Sequence, residues 1–147
     1  MSRIRIIFEK TGWITFLNHQ DLPVLFSRAA RRAGLSQEFT EGFSPHPRIS
    51  LGPALAAGVV GSNEPADFWF NVWDSSCAEK WNEKLPEGIS IVGHAEVDGP
   101  SLSKEATAAT YRISGIGFDL DCDALDVLRN EVRKAGILYG SFNEKGS

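Results

Sequence analysis

The chain has 147 residues, a net charge of −4, and 42% hydrophobic and 23% charged residues, which is the composition of an ordinary globular protein. These values argue against a disordered chain, and no apolar run approaches the roughly 20 residues of a membrane helix. Residues 1–5 have the pattern of a strand and not of a signal peptide. We therefore expect a cytoplasmic protein with no membrane partner.

The two cysteines do not indicate a metal site. Cys77 and Cys122 lie far apart, and neither belongs to a Cys-x-x-Cys pair. With only three scattered histidines beside them, they form no zinc or iron–sulfur pattern. We predict no metal and no cofactor, and we interpret each thiol as a small, partly buried side chain.

The charge is distributed unevenly along the chain. Residues 1–50 carry seven Lys and Arg against four acids, whereas residues 51–147 carry eight against fifteen. Such asymmetry can place a positive field on one face of an acidic protein.

The first half of the sequence predicts a strand, a helix and a long loop. Residues 3–10 alternate between apolar and polar side chains, as in a half-buried strand. Gly34 ends the helix, and Arg28, Arg31 and Arg32 lie on its polar flank. Its apolar stripe comprises Leu22, Leu25, Phe26, Ala29 and Ala33.

The start of this helix has two candidate N-caps. Asn18 as the cap puts Pro23 where it costs one backbone hydrogen bond, whereas Asp21 puts Pro23 in the first turn, where proline is tolerated. We favour Asn18, with a distorted first turn.

Further along, residues 36–53 are punctuated by glycine and proline, so a strand beginning at Arg48 should be short or at an edge. Ala66–Trp73 predicts a strand with Trp69 and Trp73 on one face. A capping box starting at Ser76 predicts a short helix, and residues 89–97 predict another strand. The order β-α-β-β-α-β predicts an α+β, ferredoxin-like domain over residues 1–98.

The remaining sequence repeats only the beginning of that pattern. Residues 99–109 are interpreted as a polar linker, and residues 110–147 as a partial second β-α-β unit. The strands are expected at 111–116 and 137–142, with a helix containing Leu125, Leu128 and Val132 between them. The chain looks shortened at its C-terminal end.

The most unusual segment is the loop Gly42–Ser50. Pro45 and Pro47 fix the backbone on either side of His46, so the loop should present His46 and Arg48 together, with Ser44 nearby. An imidazole and a guanidinium together can bind an anion. Alternatively, the prolines only shape the entrance to a strand and His46 caps backbone groups.

Several ordered motifs in the first 100 residues resemble the radical-SAM-linked domain of unknown function. They are Arg3-Ile4-Arg5, Phe8-Glu9-Lys10-Thr11-Gly12, Phe16-Leu17-Asn18-His19-Gln20-Asp21-Leu22, Arg28-Ala29-Ala30-Arg31-Arg32-Ala33-Gly34-Leu35 and the loop Gly42–Ser50. The resemblance implies association with radical SAM proteins that also carry a cobalamin-binding domain. Members usually continue past the point where this chain stops, which implies a truncated chain or a short member.

No cysteine triad for a radical SAM cluster and no cobalamin-binding motif occurs in the sequence, so the resemblance implies a helper and not the radical enzyme itself. We predict a non-catalytic accessory module that binds RNA or another anionic partner. The candidate binding residues are Arg28, Arg31, Arg32, His46, Arg48, His19 and Ser44.

Two alternatives remain open. A face carrying Trp69 and Trp73 would serve a protein–protein docking module for a radical SAM enzyme. A pair of His19 and His46 would allow general acid–base cleavage of RNA without a metal.

Overall fold

The computed structural model describes residues 1–107, and the first strand in the chain is one of the two inner strands of its sheet. This strand, β1, spans Ser2–Lys10, and its apolar residues Ile4, Ile6 and Phe8 are buried on one face, as the alternation predicts. Lys10 lies on the same face and is also fully buried. Its ammonium donates to the carbonyl oxygen of Leu17 at 2.6 Å, and burial lowers the pKa of Lys10.

The sheet has four strands in the order β2-β3-β1-β4, and every neighbouring pair is antiparallel. The other strands are β2 (Ile49–Leu51), β3 (Gly61–Phe70) and β4 (Ile89–Glu96). The three-residue β2 lies at one edge, as predicted from the prolines that precede it. The protein is therefore a mixed α and β chain built on an antiparallel sheet.

Helix α1 spans Leu22–Arg32, and Leu22, Leu25, Phe26 and Ala29 of its predicted apolar stripe belong to the core or pack against it, whereas Ala33 follows the helix. The helix ends as predicted, because Gly34 takes a left-handed φ of 76°. The prediction that Asn18 caps it is wrong. Residues His19–Asp21 form a separate 3₁₀ turn, and Asp21 precedes the helix, so Pro23 lies in the first turn, where no backbone donor is needed.

Helix α2 spans Ser75–Lys84 and is capped by Asp74, two residues before the predicted Ser76. The Asp74 carboxylate accepts from the Ser76 amide at 2.7 Å, and the buried Cys77 thiol accepts from the Asp74 amide. A thiol thus takes the place that glutamate has in the usual capping box. On its inner face α2 buries Trp81 completely among the aromatic rings of the core.

The other face of the sheet carries a charged cluster beneath α3, which spans Leu102–Glu105. Asp67 is completely buried there and accepts two hydrogen bonds from Arg5, at 2.7 and 3.0 Å. Arg5 also pairs with Glu105, and the Nε of Arg3 lies 3.8 Å from Asp67. The segment that we interpreted as a polar linker therefore contains a helix tied to the sheet by the ion pair of Glu105 with Arg5.

Met1–Glu105 form one compact unit. The strands and the helix predicted within residues 110–147, together with Cys122, lie outside the described residues.

Candidate ligand-binding cavity

Residues 36–51 form a hairpin that positions the predicted loop against α1. Within it Phe39 faces Pro47 in a bridge, and the amide of Thr40 donates to His46 at 2.8 Å. The base of the hairpin is held by β3, because the Glu38 amide donates to Trp69 at 2.8 Å. The two-proline loop is therefore the second arm of a hairpin that extends the edge of the sheet.

A cavity of about 410 Å³ lies between this hairpin and α1. Its apolar lining is Pro23, Val24, Phe39, Pro47 and Ile49, and its polar lining is Ser27, Arg28, Arg31, Gln37 and His46. The residues from α1 recur at helical spacing, so they form one stripe beside the buried stripe of Leu22, Phe26 and Ala29. The volume is within the range of small-molecule sites.

Three of the predicted binding residues come together at this cavity, namely Arg28, Arg31 and His46. All three are exposed. Within residues 1–107, neither arginine forms a salt bridge or a side-chain hydrogen bond, so both guanidinium groups remain available to a ligand. No carboxylate lines the cavity among the described residues, which makes its mouth positively charged.

Two further candidates lie outside the cavity. Arg32 is exposed on the same helix, one residue beyond the stripe that faces the hairpin. Ser44 is exposed in the turn of the hairpin. Neither residue lines the cavity. The sequence alone did not distinguish Arg32 from Arg31 in the helix, or Ser44 from His46 in the loop.

Arg48 does not join His46, contrary to our expectation. Its guanidinium lies over the ring of Trp69, 4.5 Å from the centroid, and pairs with Glu38 at 3.3 Å. Its chain neighbours Pro47 and Ile49 line the cavity, whereas Arg48 is held by Trp69 and Glu38 and does not.

His19 is also separate from His46. It lies close to Gly52 and Lys10, at the end of β2 away from His46, and its Nδ1 is buried without a hydrogen-bond partner among the described residues. Burial is the main cause that lowers the pKa of His19, and the charge of Lys10 adds to it. The structure thus does not assemble the imidazole pair on which RNA cleavage would depend.

The predicted tryptophan face is not formed either. β3 ends at Phe70, and beyond it Trp73 turns back onto the core. The centroid of its ring lies 4.9 Å from that of Phe70 and 6.4 Å from that of Trp81. Trp69 lies under Arg48 on the opposite face. His94, to which we assigned no role, packs edge-on against Trp73 at 5.7 Å.

Sequence reasoning missed Gln37, a polar residue in the wall of the cavity. Its Nε2 donates to the carbonyl oxygen of Ser27 in α1 at 3.1 Å. Its Oε1 is buried and has no hydrogen-bond partner among the described residues. A lone glutamine in a loop gives no sequence signal, because only the return of the hairpin to α1 buries it.

The described range, residues 1–107, contains no helix long and apolar enough to cross a membrane. No curated protein matches the chain. A bacterial family does match, over residues 3–137, and its description agrees with the predicted domain of unknown function. The chain therefore belongs to the family described as uncharacterized protein conserved in bacteria (DUF2344).

Proposed function

We propose that this protein is a non-catalytic accessory module that binds single-stranded RNA in the cavity between α1 and the hairpin. The observation that carries the proposal is the convergence of Arg28, Arg31 and His46 around apolar walls. Guanidinium groups without protein partners bind phosphate through two parallel hydrogen bonds, and the apolar walls suit a base.

Aromatic side chains on the hairpin favour RNA over a small inorganic anion. Phe43, at the tip, is fully exposed, and Phe39 is more than half exposed at the cavity. A phenylalanine ring loses no hydrogen bonds when it is buried. Single-stranded nucleic acids stack their bases on exposed aromatic rings beside a basic groove. Phe39 supplies a ring beside the two arginines.

The architecture that we propose is ferredoxin-like. α1 lies between β1 and β2 in the chain, and α2 lies between β3 and β4. Together with the antiparallel order β4-β1-β3-β2, this connectivity supports a split β-α-β arrangement.

The partner that we propose is a radical SAM protein with a cobalamin-binding domain, in the cytoplasm. The support is the resemblance of the motifs in residues 3–50. In this role the module holds RNA and the partner performs the chemistry. Copurification with the radical SAM protein of the same bacterium tests the association, and its failure when both are co-expressed would count against it.

The test of RNA binding uses three matched variants on one helix. Arg28→Ala, Arg31→Ala and Arg32→Ala each remove one positive charge, but only the first two change the cavity. Fluorescence anisotropy with labelled single-stranded RNA, over a salt series, should show weaker binding by about 3- to 10-fold for the first two variants. Each should lower the salt slope by about 0.7, which is the release expected for one phosphate contact on a single strand.

Arg32→Ala is the control and should change affinity less than about twofold. Equal losses in all three variants would indicate a diffuse electrostatic contact and contradict the cavity. Absence of binding at about 50 mM salt would overturn the proposed function itself.

A further inference from the structure

Two uncharged segments of the chain meet on the protein surface. Residues 11–17 and 49–63 contain no charged side chain. The amide of Gly58 donates to the carbonyl oxygen of Thr15 at 2.7 Å, and a Cβ at Gly58 would lie 3.4 Å from the ring of Phe16. The loop that precedes β3 is therefore held against the 3₁₀ turn that follows β1.

Large apolar side chains of both segments face the solvent. Trp13 is 90% exposed and Phe16 is 65% exposed, and their ring centroids lie 6.2 Å apart. Val59 and Val60, which follow Gly58, are also exposed. Because an aromatic side chain has about 150–250 Å² of surface, the two rings and the two valines together expose about 400–500 Å². We call these four residues the apolar patch. Patches of this size are often functional.

The charge of the chain restricts what can cover the apolar patch. Neither segment contains lysine or arginine, so RNA or an anionic lipid would find no opposite charge there. The chain itself has a net charge of −4, so two copies repel each other wherever acidic surfaces meet. An uncharged patch can face its own copy without that repulsion.

The area of the patch also suits a second copy. In a dimer with two-fold symmetry the same patch of each subunit meets its counterpart. Two copies would then bury about 1,000 Å² in total, which is near the lower limit for a specific interface. Homodimer interfaces are more apolar than the rest of the surface, and aromatic side chains are enriched in them.

We propose that the protein forms a two-fold symmetric homodimer through the apolar patch, with Trp13 and Phe16 at its centre. The small area makes this a weak dimer, with a dissociation constant of about 10–100 μM. The dimer is independent of RNA binding, because none of the four patch residues lines the cavity between α1 and the hairpin.

The experiment measures the molar mass of the full chain in the absence of RNA. Sedimentation equilibrium between about 2 and 500 μM protein should show the mass of one chain rising to that of two. Trp13→Ala should raise the dissociation constant at least about tenfold, and Phe16→Ala at least about threefold, since buried aromatic anchors contribute most to such contacts.

Phe43→Ala is the matched control. It removes a ring that is as exposed as any in the described residues but lies at the tip of the hairpin, outside the apolar patch. It should change the dissociation constant of the dimer by less than about twofold. Circular dichroism checks that each variant is folded.

Each other outcome overturns part of the proposal. A parent protein with the mass of one chain at about 500 μM would exclude the dimer. A mass beyond two chains would indicate an open-ended contact between different surfaces and contradict the two-fold arrangement. A dimer that is unchanged in folded Trp13→Ala and Phe16→Ala would lie on another surface. A monomer that binds the proposed radical SAM protein, and loses it in Trp13→Ala, would assign the patch to that protein instead.

Discussion

Replacing Trp81 by phenylalanine tests how the core is held together. Trp81 is fully buried, and its ring lies 4.8 Å from that of Phe68, 5.4 Å from that of Phe70 and 5.8 Å from that of Phe26. Its indole N–H donates to the Phe26 carbonyl oxygen at 3.0 Å. One side chain of α2 is therefore joined to the sheet by packing and to α1 by a hydrogen bond.

The expected cost of Trp81→Phe follows from these two contributions. Loss of the buried hydrogen bond costs about 1 kcal/mol of unfolding free energy. Loss of two ring carbons from a packed interior costs about 0.8 kcal/mol each, before any relaxation of the cavity. Together they predict a destabilisation of about 2–3 kcal/mol, a large part of the 5–15 kcal/mol typical of a folded domain.

Urea unfolding followed by far-ultraviolet circular dichroism measures this cost without relying on tryptophan fluorescence, which the substitution changes. The midpoint should fall by about 1 M, given slopes of about 1–3 kcal/mol per molar urea. Trp13→Phe makes the same substitution on the surface, where Trp13 is 90% exposed, and should change the free energy by less than about 0.5 kcal/mol. Equal effects of the two substitutions would refute the central role of Trp81.

Three other predictions concern stability. Gly88→Ala should cost more unfolding free energy than Gly34→Ala in the same urea assay. Both glycines have a positive φ, which costs alanine about 1–2 kcal/mol, but only at Gly88 would a Cβ also meet a backbone oxygen, at 2.5 Å; equal costs would contradict this. Asp67→Ala should cost about 3–5 kcal/mol by leaving two arginines without their buried partner, whereas Glu38→Ala, which breaks a more exposed pair, should cost less than about 1 kcal/mol. Burial lowers the pKa of His19 below its unfolded value, so the stability that it contributes is complete above about pH 6.5 and is lost as pH falls through the lowered pKa. The midpoint of His19→Gln should therefore fall less than that of the parent between about pH 7 and 5, and equal slopes would refute this.

Local patterns predicted most of the regular structure. Alternation identified the buried face of β1, and the spacing of Leu22, Phe26 and Ala29 identified the buried face of α1. The predictions failed at element ends, where Asp74 and not Ser76 caps α2. Several polar residues in succession can cap a helix, and the choice depends on which backbone amide each side chain reaches after folding.

The cavity was predicted only in part, for a different physical reason. Arg28, Arg31 and His46 could be identified because arginine and histidine have charge and titration properties that suit anion binding. The separation of Arg48 from His46 depends on the contacts of Arg48 with Trp69 and Glu38, and the position of Gln37 depends on a contact between residues ten positions apart. Contacts of that kind are set by tertiary packing and leave no periodic pattern in the sequence.

The buried carboxylate of Asp67 also has an evolutionary consequence. Because the buried carboxylate of Asp67 accepts both of its hydrogen bonds from Arg5, replacing Arg5 alone leaves a buried charge without its hydrogen-bond donors. An apolar set of side chains is an acceptable alternative only when all of the charges are replaced together. Among family members these positions should therefore change in concert, with few sequences holding an intermediate combination.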